Sequence, residues 1–220
     1  MGAALTLVIG NKNYSSWSLR PWLAMKHVGI PFTEIRLPLY QADSKRRILE
    51  HSPAGKVPVL KDGAVTVWDS LAILEYLAER FPDRKLWPRD PAARAGARSV
   101  SAEMHSGFAA LRAHMPMNLR NSYPGRGRTP EVEEDIARVT ALWSERLAPA
   151  AGPFLFGAFS NADAMFAPVA TRFITYSVIL PAVCRRYVDT LMALPAMQAW
   201  YADARAEPEA IADYDELYQQ

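Results

Sequence analysis

The stretch AGKVPVLKDGAVTVWDSLAILEYLAERFP, residues 54–82, carries the strongest structural pattern in the chain. Val57-Pro58 opens a short apolar strand, and Asp62-Gly63 predicts a tight turn into a second strand. Trp-Asp-Ser at 68–70 then leads into a helix, because apolar side chains recur at helical spacing at Leu74, Leu77, Ala78 and Phe81. Unpaired N–H groups and the positive end of the helix dipole meet at this start. The Asp-Ser pair therefore either caps the helix or holds a ligand carboxylate.

The residues before this stretch predict alternating strands and helices. A buried strand is expected at residues 5–10, a helix from an N-cap at Ser18 to about Val28, a strand at 32–39 and a short basic helix at 44–51. With the hairpin and helix above, the order is strand, helix, strand, helix, strand, strand, helix. Because parallel strands need a crossover of fixed hand between them, this order predicts a small α/β layer of roughly 80 residues.

The second half of the chain has a different pattern. Residues 83–91, DRKLWPRDP, are rich in proline and charge and are interpreted as a linker. The residues after them lack strand-like alternation and predict helices at 92–115, 130–147, 162–175, 184–194 and 195–206. The predicted organisation is an α/β domain at 1–82, a linker at 83–91 and an all-helical domain at 92–220.

The composition is typical of a globular protein with a sizeable core. Of 220 residues, 50% are apolar and 22% are charged, and the net charge of +2 is too small to attract nucleic acid or a membrane surface. No apolar run reaches membrane-spanning length, and the first residues lack the basic start of a secretory signal. The default expectation is therefore a cytoplasmic protein without nucleic-acid or membrane partners. Cys184 is the single cysteine, which excludes an internal disulfide and C-x-x-C redox chemistry.

Tyr14-Ser15-Ser16-Trp17-Ser18 lies between the first strand and the first helix, where a hydroxyl and a helix N-terminus can act on one anion. A thiolate is sensitive to such a site, because a thiol with a pKa of about 8.5 is only a few per cent ionised at neutral pH. Lowering that pKa by about two units requires roughly 2.7 kcal/mol, and one charge-assisted hydrogen bond supplies about 1.5–3 kcal/mol. The alternative is that the serines only cap the helix and shape the turn. No G-x-S-x-G motif frames them, so a hydrolase nucleophile elbow is not indicated.

Two further segments complement a small peptide. The residue before Pro58 is held extended, which leaves the backbone N–H and C=O of Val57 free to pair with a peptide ligand. Lys56 could meet a ligand carboxylate or be solvated. The combined pattern fits a peptide with four points of attachment: its backbone on Val57, a carboxylate on Ser70, an amine on Asp69 and a thiol near Ser15.

Four motifs in register resemble the glutathione transferase superfamily over the whole chain. They are the spacing of Ser15 and Arg20, the segment Gly55-Lys56-Val57-Pro58-Val59-Leu60, the Asp69-Ser70 pair, and Ser160-Asn161-Ala162-Asp163 before Pro168. In the family the last motif is an N-capping box that nucleates a core helix, and it is interpreted here as structural. The resemblance implies a thioredoxin-like α/β N-terminal domain, an all-α C-terminal domain and a homodimer, with Arg94 and Arg98 as interface candidates.

The resemblance also implies glutathione as cosubstrate and a cis bond before Pro58. Val57 is then expected to pair with the cysteinyl moiety, Asp69 and Ser70 to hold the γ-glutamyl end, and Lys45 and Lys56 to be candidates for the glycine carboxylate. The spacing from Ser15 to Arg20 matches the serine-type zeta, tau and theta classes. It makes Ser15 the activating hydroxyl, with Ser16 in reserve.

Two positions depart from the family pattern. Zeta enzymes have Ser-Ser-Cys where this chain has Ser15-Ser16-Trp17, which argues against maleylacetoacetate isomerase activity. Many classes have Glu where this chain has Asp69, so the reach of this side chain to the ligand amine differs.

The electrophile is expected to bind against the predicted helix at 92–115, which borders the substrate cleft in this family. The substrate-binding candidates there are His105, Phe108 and Arg112, with Trp17 opposite, although such a stripe also packs as helix core. No His, Cys, Asp or Glu cluster has metal-ligand spacing. The predicted function is a glutathione transferase that uses a small hydrophobic electrophile. The alternatives are a glutathione-dependent isomerase, lyase or peroxidase, and a non-catalytic binding module.

Overall fold

The computed structural model describes residues 4–218. Its N-terminal half consists of β1 (Thr6–Ile9), α1 (Ser16–His27), β2 (Thr33–Arg36), α2 (Ser44–Leu49), β3 (Val59–Asp62), β4 (Val65–Trp68) and α3 (Ser70–Arg80). A single 3₁₀ turn at Pro82–Arg84 leads into the helices of the second half. These are α4 (Pro91–Ser106), α5 (Ala109–His114), α6 (Pro130–Leu147), α7 (Asn161–Thr175), α8 (Ala182–Met192), α9 (Pro195–Ala206) and α10 (Ala212–Asp215).

The four strands form one mixed sheet in the order β2-β1-β3-β4. β1 pairs with β2 in parallel, with Val8 opposite Ile35, and with β3 antiparallel, with Val8 opposite Val59. β3 and β4 form the expected hairpin, in which Leu60 faces Val67. The order of strands and helices predicted from the sequence is confirmed. β1 and β3 are neighbours in the sheet and run antiparallel. The turn that follows β1 therefore lies next to the segment that precedes β3.

The ends of several helices differ from the prediction, and two of these differences bear on the site. α1 begins at Ser16, with Ser15 in the N-cap position, whereas the sequence suggested a cap at Ser18. Ser18 does not cap the helix, because its Oγ accepts hydrogen bonds from the Gly10 N–H at 3.1 Å and from the Ser15 hydroxyl at 2.7 Å. The helix expected at 92–115 is divided at Gly107 and Phe108, where Phe108 has a left-handed φ of 56°.

The capping box of α7 forms as expected. The Ser160 N–H donates to Asp163 Oδ2 at 2.8 Å. All residues of α7 except Ile174 are buried, and the helix packs against α1 and α4. This packing places the start of α1 against the helical half. Within residues 4–218, no helix is both long enough and apolar enough to span a membrane.

Candidate functional site

Two adjacent cavities open beside the start of α1, and the first of them is also lined by residues of the helical half. The first, here called the serine cavity, has a volume of about 560 Å³ and contains Ser15 and Ser16 in its wall. The second, here called the helix cavity, has a volume of about 520 Å³ and lies at the start of α3. They share three lining residues: Trp17, Lys56 and Val57.

Ser15 and Ser16 are both nearly buried, at 7% exposure, and both reach the serine cavity. The turn after β1 places them there, since the Ser15 N–H donates to the Asn11 carbonyl at 2.8 Å. The Ser15 hydroxyl donates to Ser18 Oγ at 2.7 Å. Ser16 Oγ accepts a hydrogen bond from Arg172 Nη2 at 3.3 Å, which leaves its own proton available for a group in the cavity.

Arg172, on α7, is a site residue that sequence analysis missed. Its guanidinium is buried and donates to the carbonyls of Met115 at 2.8 Å and Pro168 at 3.0 Å. Burial, together with the nearby Arg112, lowers the pKa of Arg172 to about 10. The available signal was one cation in the otherwise apolar run MFAPVATRFIT. Its position beside Ser16 follows only from the docking of α7 on α1.

Arg20, on α1, lies on the other side of the shared wall. It is buried at 1% exposure, and its Nη1 donates to Ser70 Oγ at 3.1 Å. Burial, then the charges of Arg172 and Arg112, lower the pKa of Arg20 to about 9, against the opposing effect of Asp69. Within the described part of the chain, no carboxylate lies within 4 Å of Arg20, Arg112 or Arg172. Buried cations without counterions favour an anionic ligand.

Trp17 separates the two cavities and carries cations on its ring. The Arg20 guanidinium lies 4.1 Å from the ring centroid, and that of Arg112 lies 5.6 Å from it. Arg112 also lines the serine cavity, as sequence analysis expected for the electrophile side. Its position is fixed by hydrogen bonds from Nη1 to the carbonyls of Met104 at 3.4 Å and His105 at 3.2 Å.

Asp69 and Ser70 line the helix cavity and also begin α3. Asp69 has a left-handed φ of 75°, and its Oδ1 accepts from the N–H groups of Leu71 at 2.9 Å and Ala72 at 3.3 Å. Its other oxygen, Oδ2, lies 3.2 Å from His105 Nε2. Ser70 is completely buried. The capping role and a binding role are therefore compatible, because capping uses only one oxygen of Asp69.

The segment before β3 completes the shared wall. The Val57-Pro58 bond is cis, as the resemblance implied, and Pro58 lines the helix cavity. Lys45 lines the serine cavity, where its Nζ donates to the Gly55 carbonyl at 3.3 Å. Lys56 contacts both cavities.

Two predicted substrate residues lie away from the cavity walls. Phe108 is 6% exposed and lies in the main hydrophobic core together with Met104, Leu111 and Met115. Its position therefore agrees with the alternative that this stripe of residues packs as helix core. His105 lines neither cavity and instead packs edge-on against Trp17, with ring centroids 5.4 Å apart. Two tyrosines that sequence analysis did not single out, Tyr40 and Tyr214, line the serine cavity, and their hydroxyls are 3.2 Å apart.

The arrangement can hold a small anionic peptide and keep a thiol ionised. A hydroxyl, the N-terminus of α1 and the guanidiniums of Arg112 and Arg172 all act on the serine cavity. In the part of the chain between residues 4 and 218, no group of three His, Cys, Asp or Glu side chains is placed to hold a metal ion. The sheet and the helical half together define a thioredoxin-like protein with a C-terminal helical domain.

Comparison with known proteins identifies the family. The family model described as glutathione S-transferase, N-terminal domain, matches residues 14–80. A probable maleylacetoacetate isomerase of Caenorhabditis elegans is 31% identical over 86% of this chain and 88% of its own length. The maleylacetoacetate isomerase of Rattus norvegicus is 30% identical over 83% of this chain and 85% of its own length. The chain therefore belongs to the glutathione transferase superfamily, as the sequence motifs indicated.

The fold agrees with this assignment. A glutathione transferase homolog from Burkholderia gl BGR1, solved with bound glutathione, superposes with a TM-score of 0.72 over 93% of this chain and all of that one, at 23% identity. The predicted fold class, a thioredoxin-like N-terminal domain followed by an all-helical domain, is confirmed.

Proposed function

We propose that the protein binds glutathione across the two cavities and adds its thiolate to a small electrophile. The cysteinyl backbone pairs with Val57, and the γ-glutamyl end occupies the helix cavity, with its carboxylate on Ser70 and its amine on Asp69. Lys45 and Lys56 are placed to meet the glycine carboxylate. Membership of the superfamily and the adjacent placement of these residues support this proposal.

The single observation that carries the proposal is the set of hydroxyls and uncompensated cations around the serine cavity. Ser15 is the proposed donor to the glutathione sulfur, and its hydroxyl, which donates to Ser18 Oγ in this structure, must rotate toward the cavity when the thiolate binds. Ser16 is the alternative, because a hydroxyl that accepts from a guanidinium becomes a stronger donor itself. A shift of about two pKa units requires roughly 2.7 kcal/mol, which one such donor and the surrounding positive charge can supply.

The same charges determine the electrophile that fits. Arg112 and Arg172 line the serine cavity beside the apolar side chains of Pro116 and Met117. A molecule with an apolar body and one carboxylate would satisfy both surfaces. In conjugation the thiolate forms a C–S bond to the electrophilic carbon as the leaving group departs with the bonding pair.

Cis–trans isomerisation is the second candidate. The thiolate adds to a conjugated double bond, the resulting single bond rotates, and elimination restores both the double bond and the thiolate without net change. Two relatives are named as maleylacetoacetate isomerases, and the arginine pair suits an unsaturated carboxylate. Trp17 occupies the position at which zeta enzymes have cysteine, so conjugation is the primary proposal.

Calorimetric titration with glutathione tests binding, and the ultraviolet absorbance of the bound thiolate against pH tests activation. Turnover is then compared for a chlorodinitrobenzene-type substrate and for a cis-unsaturated carboxylate. We expect Ser15→Ala to raise the pKa of the bound thiol and to lower kcat/KM by about 10- to 100-fold. If neither Ser15→Ala nor Ser16→Ala changes the thiol pKa or the rate, the proposed mechanism is wrong.

We also propose that the chain forms a homodimer, on the basis of the family resemblance. Of the two suggested interface arginines, Arg98 is paired within its own chain with Glu75 at 3.0 Å. Sedimentation at micromolar concentration tests the proposal, and a monomeric mass would contradict it.

A further inference from the structure

His105 links the helical half of the protein to the start of α3. It lies on α4, and its Nε2 is 3.2 Å from Asp69 Oδ2. Its ring is also edge-on to Trp17. The other ring nitrogen, Nδ1, is buried and has no hydrogen-bond partner within the described residues. The polar contact of this side chain with the site is therefore through Nε2, and its ring contact is with Trp17.

The surroundings of the two ring nitrogens indicate which of them carries the proton when the His105 ring is neutral. A proton on Nε2 gives the Asp69 carboxylate a donor and leaves Nδ1 as a buried acceptor. In the opposite tautomer, Nε2 would be an acceptor directed at the Asp69 carboxylate, which is also an acceptor, and Nδ1 would be a buried N–H without a partner. That tautomer is therefore higher in free energy than the one with the proton on Nε2. In the neutral ring the proton is therefore assigned to Nε2, which faces Asp69 Oδ2 across 3.2 Å.

This contact fixes the second oxygen of a carboxylate whose first oxygen is already engaged. Asp69 Oδ1 caps α3 through Leu71 and Ala72, and Oδ2 lies 3.2 Å from His105 Nε2. A carboxylate oxygen has more than one acceptor site, so Oδ2 can still receive an ammonium group from the helix cavity. The charged groups that face this position are the Asp69 carboxylate, the Arg20 and Arg112 guanidiniums near Trp17, and Lys56 in the cavity wall.

We propose that His105 is a positioning residue, which orients the Asp69 carboxylate toward the ammonium group of the γ-glutamyl moiety. The inference rests on the proposed function. It assigns His105 to the glutathione side of the site, whereas sequence analysis placed it on the electrophile side. It also explains how the aspartate, one methylene shorter than the glutamate of many classes, is held in place from a neighbouring helix.

The experiment measures KM and kcat for glutathione in three substitutions. In glutamine the amide nitrogen reaches the position of histidine Nε2, whereas in asparagine it reaches the position of Nδ1. We expect His105→Leu and His105→Asn to raise KM for glutathione about 5- to 20-fold with little change in kcat, and His105→Gln to retain the wild-type KM.

A glutathione analogue without the γ-glutamyl amine isolates the proposed contact. With this analogue, wild type and His105→Leu should have the same KM. Asp69→Asn, which keeps an oxygen for capping α3 but removes the charge that faces the ammonium, should raise KM at least as much as His105→Leu. The double substitution should raise KM no further than Asp69→Asn alone. These variants also test the proposal if His105→Leu itself does not fold.

Three outcomes would overturn the inference. They are an equal rise in KM for glutathione and for the deaminated analogue, rescue by asparagine as complete as by glutamine, and additive effects of the Asp69 and His105 substitutions. A wild-type protein that fails to bind glutathione at all would instead overturn the proposed function, and this proposal with it.

Discussion

At the scale of single residues, Arg172 is held by protein groups that do not neutralise it. Its guanidinium donates to two backbone carbonyls and to Ser16 Oγ. These contacts replace lost hydration, but they leave a buried positive charge next to the serine cavity. Burial, and to a smaller extent the charge of the neighbouring Arg112, lowers the pKa of Arg172.

Arg172→Met should reduce the use of carboxylated electrophiles more than that of neutral ones. Loss of a charged hydrogen bond predicts a fall in kcat/KM of about 10- to 100-fold for the carboxylated substrate. The bound thiol should also have a higher pKa, so the rate should reach its plateau at higher pH. Kinetics with a matched pair of electrophiles, with and without the carboxylate, measure the difference.

Two variants serve as controls for this substitution. Arg172→Lys keeps a positive charge and should lose less activity. Arg128→Met removes a partly exposed arginine that pairs with Glu133 and should have no effect on either substrate. An equal loss for both electrophiles in Arg172→Met would show that the arginine has only a structural role.

At the scale of elements, α7 begins at a carboxylate that is completely buried. Asp163 accepts from the N–H groups of Leu155 and Ser160 and from the hydroxyls of Ser160 and Tyr187. Burial nevertheless outweighs these donors and raises the pKa of Asp163 to about 6. A group whose pKa is higher in the folded state binds its proton more tightly there, so its contribution to stability is lost as pH rises through that value.

The difference in free energy of unfolding between wild type and Asp163→Asn should therefore depend on pH. The pKa of Asp163 rises from 3.8 to about 6 on folding. The stability of wild type relative to Asp163→Asn should fall between about pH 4 and pH 6, by roughly 3 kcal/mol at most. Urea unfolding of both proteins at pH 4.5 and pH 7 measures the change. A difference that is constant with pH would contradict the assignment.

At the scale of the whole molecule, the last described residues return to the N-terminal half. Glu207 is buried and accepts from the N–H groups of Lys12 at 2.6 Å and Asn13 at 3.1 Å. Asp215 accepts from the Tyr14 hydroxyl at 2.6 Å. These contacts hold the loop between β1 and α1, which carries Ser15. The C-terminal segment therefore supports the turn that carries Ser15.

Glu207→Ala should weaken both stability and glutathione binding. It leaves two backbone N–H groups without a partner, each at a cost of about 1–3 kcal/mol. The free energy of unfolding should fall by about 2–4 kcal/mol, and KM for glutathione should rise because the loop that carries Ser15 loses its support.

Glu209→Ala provides the matched control. Glu209 forms a bidentate, partly exposed pair with Arg36, and its loss should cost less than about 1 kcal/mol. Equal losses of stability in the two variants would contradict the role assigned to Glu207. Denaturant unfolding and initial-rate kinetics on the same samples provide both readings.

Local patterns in the sequence were enough to predict the elements of the N-terminal half and their order. An apolar run marked β1, alternation marked β2, and the Val57-Pro58 and Asp62-Gly63 steps marked the hairpin of β3 and β4. Helical spacing marked α3, and the Ser160–Asp163 spacing marked the start of α7. Motif resemblance named the family, because those motifs are short and contiguous. Such patterns depend on interactions between residues a few positions apart, so they can be read without knowing the fold.

Only the tertiary structure decided which side chains meet at the site. Arg172 approaches Ser16 and His105 approaches Asp69 because α7 and α4 dock against the N-terminal half. The same docking buried Phe108 in the core and placed Arg112 at the cavity. These contacts depend on the angle and distance between packed helices, which are set by the whole core and leave no local pattern in the sequence.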